Sequence, residues 1–169
     1  MTTPFRLGRR LSYQWWFAGI TTAAGFGFYF LPIEKQTPEL LISLLGSIAA
    51  FFHFLYAQHS ANTERFVALF REFNARFDAL NNDLNRIRNL PPTTFLDHSD
   101  RQLLFDYFNL CGEEYLYYRS GYLDNEVWSS WLRGMAYFAS SEAIRNIWQK
   151  ELEQGSYYNF NLSLLPISA

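Results

Sequence analysis

The chain has 169 residues, 49% of them hydrophobic, 20% aromatic and 18% charged, with a formal net charge of −2. So little charge beside so much apolar material excludes a disordered tail and a nucleic-acid-coating protein, since soluble domains carry roughly 25% charged residues. The length holds one ordinary domain, or a membrane segment with one small domain, and the single cysteine, Cys111, excludes a disulfide framework within the chain.

Residues 1–10 are a basic stretch with Arg6, Arg9 and Arg10. Residues 11–33 carry no charge and exceed the roughly 20 positions that cross hydrocarbon as a helix. A short loop, 34–39, holds Glu34, Lys35, Pro38 and Glu39, and a second apolar run covers 40–59. Two helices so closely joined are expected to form an antiparallel hairpin that crosses a bilayer twice. A cleaved signal peptide is the competing reading of the first run, but signal cores are only about 7 to 15 residues long. Three arginines precede the first span, Lys35 alone lies in the loop, and Arg65, Arg71 and Arg76 follow the second, so both termini are expected in the cytoplasm. Tyr13, Trp15 and Trp16 then sit at the cytoplasmic interface. Gly19, Ala23 and Gly27 in the first span, and Ser43, Gly46, Ser47 and Ala50 in the second, form small-residue faces that let helices approach closely, within the hairpin or between protomers. His53 is a candidate gating residue, because an ionisable group inside a span is a functional signal.

No proline interrupts residues 39–90, so the second span is expected to continue out of the membrane as one long helix. Phe66, Phe70, Phe73, Phe77, Leu80, Leu84 and Ile87 recur at alternating spacings of four and three along it, the seam of a helix that packs along its length. Four phenylalanines are bulky for a two-stranded coiled coil, which favours docking on helices downstream, with packing between copies as the alternative. Pro91 and Pro92 end the helix. Ser99 with Gln102 reads as a capping box before an apolar face of Leu103, Leu104, Tyr107, Phe108, Cys111, Tyr115 and Tyr118 that runs to Gly121. Asp124 caps a third segment bearing Trp128, Trp131 and Met135; Ser140 or Ser141 caps a fourth with Ile144 and Trp148. The expected class is therefore all-α: a two-helix transmembrane hairpin whose second helix continues into a four-helix cytoplasmic bundle over 60–153, followed by an irregular tail, 154–169.

Side chains with chemistry are sparse. Glu113 and Glu114 are about 100° apart on a helix and cannot face each other, so one is expected to be solvated and the other bonded to a tyrosine or arginine. His53, His59 and His98 have no partners at metal-ligand spacing, and no glycine-rich phosphate loop is present, so neither a metal nor a cofactor is expected. Cys111, on an apolar helical face, reads as a small core residue. From His59 onward there are ten Lys and Arg against fourteen Asp and Glu, a net −4 that disfavours direct nucleic-acid binding. The expected partners are the lipid bilayer, further copies of the chain and a soluble protein.

The stretch Phe73-Asn74-Ala75-Arg76-Phe77-Asp78-Ala79-Leu80-Asn81, and the later run from Asp106 to Tyr115 with Trp128, Trp131, Gly134 and Met135, resemble a broad group of small bacterial proteins with a membrane anchor and a helical cytoplasmic domain. The architecture is also similar to that of the accessory protein found beside the type VI-B CRISPR nuclease. That resemblance implies an oligomeric pore in the bacterial inner membrane, a HEPN-like cytoplasmic domain and a non-enzymatic role in antiphage defence. The HEPN pair needs an arginine four to six positions before a histidine, and none stands so before His53, His59 or His98, so ribonuclease activity is not expected. The polar residues of the two motifs, Arg76, Asp78 and Asn81 with Asn109, Glu113 and Glu114, are expected to meet across the helix pair as a structural network, with Arg76 paired to a glutamate. A membrane tether that recruits a soluble partner is the alternative function.

Overall fold

The computed structural model describes residues 12–166. The arginines of the basic N-terminus and Leu11 of the first apolar run lie outside them, as do the last three residues of the tail. All regular elements among the described residues are helical, and the chain divides between Arg65 and Phe66 into two compact units.

The first unit holds α1 (Ser12–Tyr29), a 3-10 turn (Ile33–Lys35) and the beginning of α2 (Pro38–Arg88). Thr37 Oγ1 accepts from Leu40 N–H at 3.3 Å, and Pro38 takes the first helical position, where its missing donor costs nothing. Gln36 closes the connection by donating from Nε2 to Tyr29 O (3.0 Å) and Leu31 O (2.7 Å), carbonyls that the end of α1 leaves open. Phe17 meets Phe52 edge-on at 5.2 Å and Tyr13 lies 6.0 Å from His59, contacts that run in opposite chain directions.

The expected pair of spans is met only in part. Among the described residues one helix, α2, is long and apolar enough to cross a membrane, and none of its most apolar stretch is buried. α1 stops at Tyr29, ahead of Pro32, instead of continuing to Ile33. Its 18 residues give about 27 Å at ~1.5 Å each, slightly under a hydrocarbon core of about 30 Å, and Gln14, the threonines and the glycines dilute its apolar character.

The second unit packs the rest of α2 against α3 (His98–Arg119), α4 (Asn125–Ala139) and α5 (Glu142–Leu152) as a helical bundle. Its core is aromatic: Trp148 stacks on Phe108 at 4.7 Å and on Phe160 at 5.5 Å, and Tyr107 meets Phe138 edge-on at 5.5 Å. The seam of α2 docks within this unit. Phe70 stacks on Trp131, Phe73 packs on Tyr117 and Trp131, Phe77 lies against Tyr107 and Phe138, and Leu84 and Ile87 are fully buried.

The helix ends follow their local chemistry. Asp97, not Ser99, caps α3, accepting from Asp100 N–H at 2.8 Å; a carboxylate at this position also meets the positive end of the helix. Gly121 follows that helix at φ +80°, where a side chain would be strained. Asp124 caps α4 through Glu126 N–H, and Ser141 precedes α5 without a side-chain bond.

The tail is described as far as residue 166. Two 3-10 turns, Tyr157–Asn159 and Leu162–Leu164, return it to the bundle, where Phe160 and Leu165 are buried. Tyr157, Tyr158 and Asn159 all have positive φ, and the first of them rests on Gly112 in α3.

Candidate functional site

On α3, residues 107, 111 and 114 are spaced by four and three and therefore share one face. That face forms the floor of a cleft of about 130 Å³ in the helical bundle. Asn74 and Phe77 of α2 form one wall, and Ser130, Trp131, Gly134 and Met135 of α4 the other. Gly134 leaves its side open: a Cβ built there meets nothing within 4 Å.

Glu114 is the unusual member. It is 7% exposed, lines the cleft, and its carboxyl has no hydrogen bond with any of the described residues. Burial pushes its pKa up to about 8; the Arg76 charge pulls it down in part, and Glu113 raises it further. Arg76 does not bond Glu114, because its guanidinium is committed to Glu113. Nη1 donates to Oε2, and Nη2 reaches Oε1 at 3.3 Å. This fork holds the Arg76 pKa above its ordinary value. Deeper in the floor, burial pushes both the Tyr107 phenol and the Cys111 thiol well up, so the thiol stays protonated and inert.

The expected polar network is thus reduced to one ion pair with a buried acid beside it. Asp78 and Asn109 are exposed, and Asn81 bonds Asn85 instead (2.9 Å). The expectation that one glutamate would be solvated does not hold: Glu113 is ion-paired and half-buried, and Glu114 is buried. Glu114 was legible as a site residue from its register, seven positions after Tyr107 and three after Cys111, on the apolar stripe that Glu113 leaves. Glu113, one position along, meets Arg76 instead.

In the first unit, Gly19, Ala23, Gly27, Ser43, Gly46, Ser47 and Ala50 are all exposed. Added Cβ atoms at Gly19, Gly27 and Gly46 meet nothing within 4 Å, so these faces are not used by close packing between α1 and α2. Half-buried residues of this unit include Thr21, Ala24, Phe28, Leu44, Ile48 and Phe52. His53 lies on the exposed side. No group of three or more His, Cys, Asp or Glu side chains among the described residues could hold a metal ion. No family model, curated protein or solved structure matches the chain.

Proposed function

We propose that this chain is an integral membrane protein that self-associates in the bilayer. Its α1 and early α2 form a two-pass hairpin, residues 60–153 form a four-helix cytoplasmic domain, and both termini are cytoplasmic. The observation that carries this reading is the apolar stretch of α2, none of which is buried. A continuous apolar helix surface of that length requires lipid or another protein to cover it. Trp15 and Trp16 near one end of α1, and Tyr29 and Phe30 at the other, are 63 to 77% exposed and suit the two interfaces of a bilayer, which supports α1 as the second span despite its length. The outward small-residue faces support association between copies, because a small face turned to lipid gains little while two such faces pack closely.

The resemblance to the CRISPR accessory protein would make such an assembly a non-enzymatic pore or effector of antiphage defence in the bacterial inner membrane. The test is the mass of the detergent-solubilised protein by light scattering, corrected for bound detergent, beside the variants Gly19→Leu and Gly27→Leu. A Cβ at either position meets nothing within 4 Å. A discrete oligomer that both variants dissolve, with conductance after reconstitution, supports the pore. A monomer, or a mass untouched by the variants, overturns it in favour of a tether that recruits a soluble partner. The exposed Phe95, Tyr122 and Tyr158 of the helical bundle favour that second reading as contact points.

A further inference from the structure

We propose that the cleft between α2, α3 and α4 is a binding site for a small organic ammonium ion, with the Glu114 carboxylate as its counter-ion. The fork between Arg76 and Glu113 is internally neutral, which leaves Glu114 as the buried acid without a compensating charge. A buried carboxyl in that position either keeps its proton or takes a cation.

The rest of the lining is suited to the second course. Asn74 gives its Nδ2 to Phe70 O at 2.8 Å, leaving Oδ1 to accept a hydrogen bond, and Ser130 supplies a hydroxyl oxygen. Phe77 and Trp131 supply aromatic surface of the kind that attracts alkylammonium groups. This apolar lining disfavours a strongly hydrated metal cation. A volume of about 130 Å³ equals roughly four waters at ~30 Å³ each, room for an ammonium head on a chain of a few carbons.

The charged and titratable groups around Glu114 are Arg76 from α2 and Glu113, Tyr107 and Cys111 from α3; α4 brings no titratable side chain to the cleft lining. Binding of a cation therefore draws on the ionised fraction of Glu114, which is the minor form below pH of about 8. The apparent affinity should rise about tenfold per pH unit up to that point and then level off.

The experiment titrates butylammonium chloride into the full-length protein in a nonionic detergent, by calorimetry and by tryptophan fluorescence, with 1-butanol as the uncharged analogue. Saturable binding of the ammonium, at least tenfold tighter than the alcohol at pH 8 and weaker on acidification, is expected. Glu114→Gln should abolish the preference for the charged molecule. Gly134→Leu leaves Glu114 in place, starts from a Cβ that meets nothing within 4 Å and projects its side chain into the open side of the cleft, and should prevent binding of either molecule. Equal affinity for ammonium and alcohol, binding independent of pH, or ammonium binding unaltered in Gly134→Leu would overturn the assignment even if Glu114→Gln failed to fold.

Discussion

The buried carboxyl of Glu114 gives the helical bundle a pH dependence of definite sign. Its folded pKa of about 8 lies above the ordinary 4.5, so the native state holds the proton more tightly than the unfolded chain does. Its contribution is therefore full below about pH 4.5, falls as pH rises through the interval to about 8 by roughly 1.4 kcal/mol per unit, and is constant beyond. Thermal melts of wild type and Glu114→Gln across that interval should diverge, the variant losing less on alkalinisation and being the more stable at pH 8. Parallel curves would mean that the acid is solvated in solution. Two glycines offer a second comparison. A Cβ at Gly112 would stand 3.1 Å from Tyr157 Cβ and 3.2 Å from Tyr157 Cα, and the Tyr157 backbone already has φ 63° and little freedom to yield. Gly112→Ala should cost about 1 to 3 kcal/mol by overpacking, more than the ~1 kcal/mol that alanine gains in a helix. Gly134→Ala, with open space around it, should instead stabilise by about 0.5 to 1 kcal/mol. Denaturant midpoints of the two variants should move in opposite directions.

At the scale of elements, the helices were legible because their apolar residues recur at helical spacing and their ends carry asparagine, aspartate, glycine or proline at positions with a physical role. The seam from Phe66 to Ile87 lies on α2, where Phe70, Phe73 and Phe77 meet aromatic rings of α3 and α4. The cap of α3 was misplaced by two residues because Asp97 and Ser99 are both competent caps, and only the turn after Pro92 decides between them. The tail was not legible. Three successive non-glycine residues with positive φ have no local signature, and they are held by contact with Gly112, which lies 45 or more residues earlier in the chain. Gly112 itself was a signal: a glycine buried within a helix otherwise rich in good helix formers marks a close approach. Truncation after Gln154 should test how much this strap contributes. It removes Phe160, which stacks on Trp148, and Tyr157, which meets Phe108 edge-on at 6.4 Å, and so exposes two core aromatics. A loss of about 3 to 5 kcal/mol is expected, on the scale of deleting one buried aromatic side chain. A truncated chain that melts like wild type would show that the tail packs without contributing to stability.

At the scale of the whole molecule, α2 belongs to both units, and its chemistry changes along its length. Residues 40–58 are uncharged apart from the titratable His53, whereas charge begins at Glu64 and the buried positions begin at Phe66. Such a helix favours lipid around its first part and a protein core around its second, which is the arrangement expected of an anchor that emerges into the cytoplasm. Under the proposed two-pass topology, the arginines that follow the apolar part of α2 put the bundle in the cytoplasm and the connection with Glu34 outside. Cys111 makes this testable with single cysteines, because its side chain is 1% exposed and burial pushes its thiol well up, leaving a silent background. In intact cells, Glu34→Cys should react with a membrane-impermeant maleimide, whereas Glu153→Cys should react only after permeabilisation. Both positions are exposed in the structure, so a difference between them reports the membrane and not local burial. Protection of Glu34→Cys in intact cells, with Glu153→Cys reacting from outside, would overturn the cytoplasmic placement of the bundle. Labelling of both cysteines from the same side would show that α2 does not cross, because it is the apolar helix between positions 34 and 153 that has to separate them.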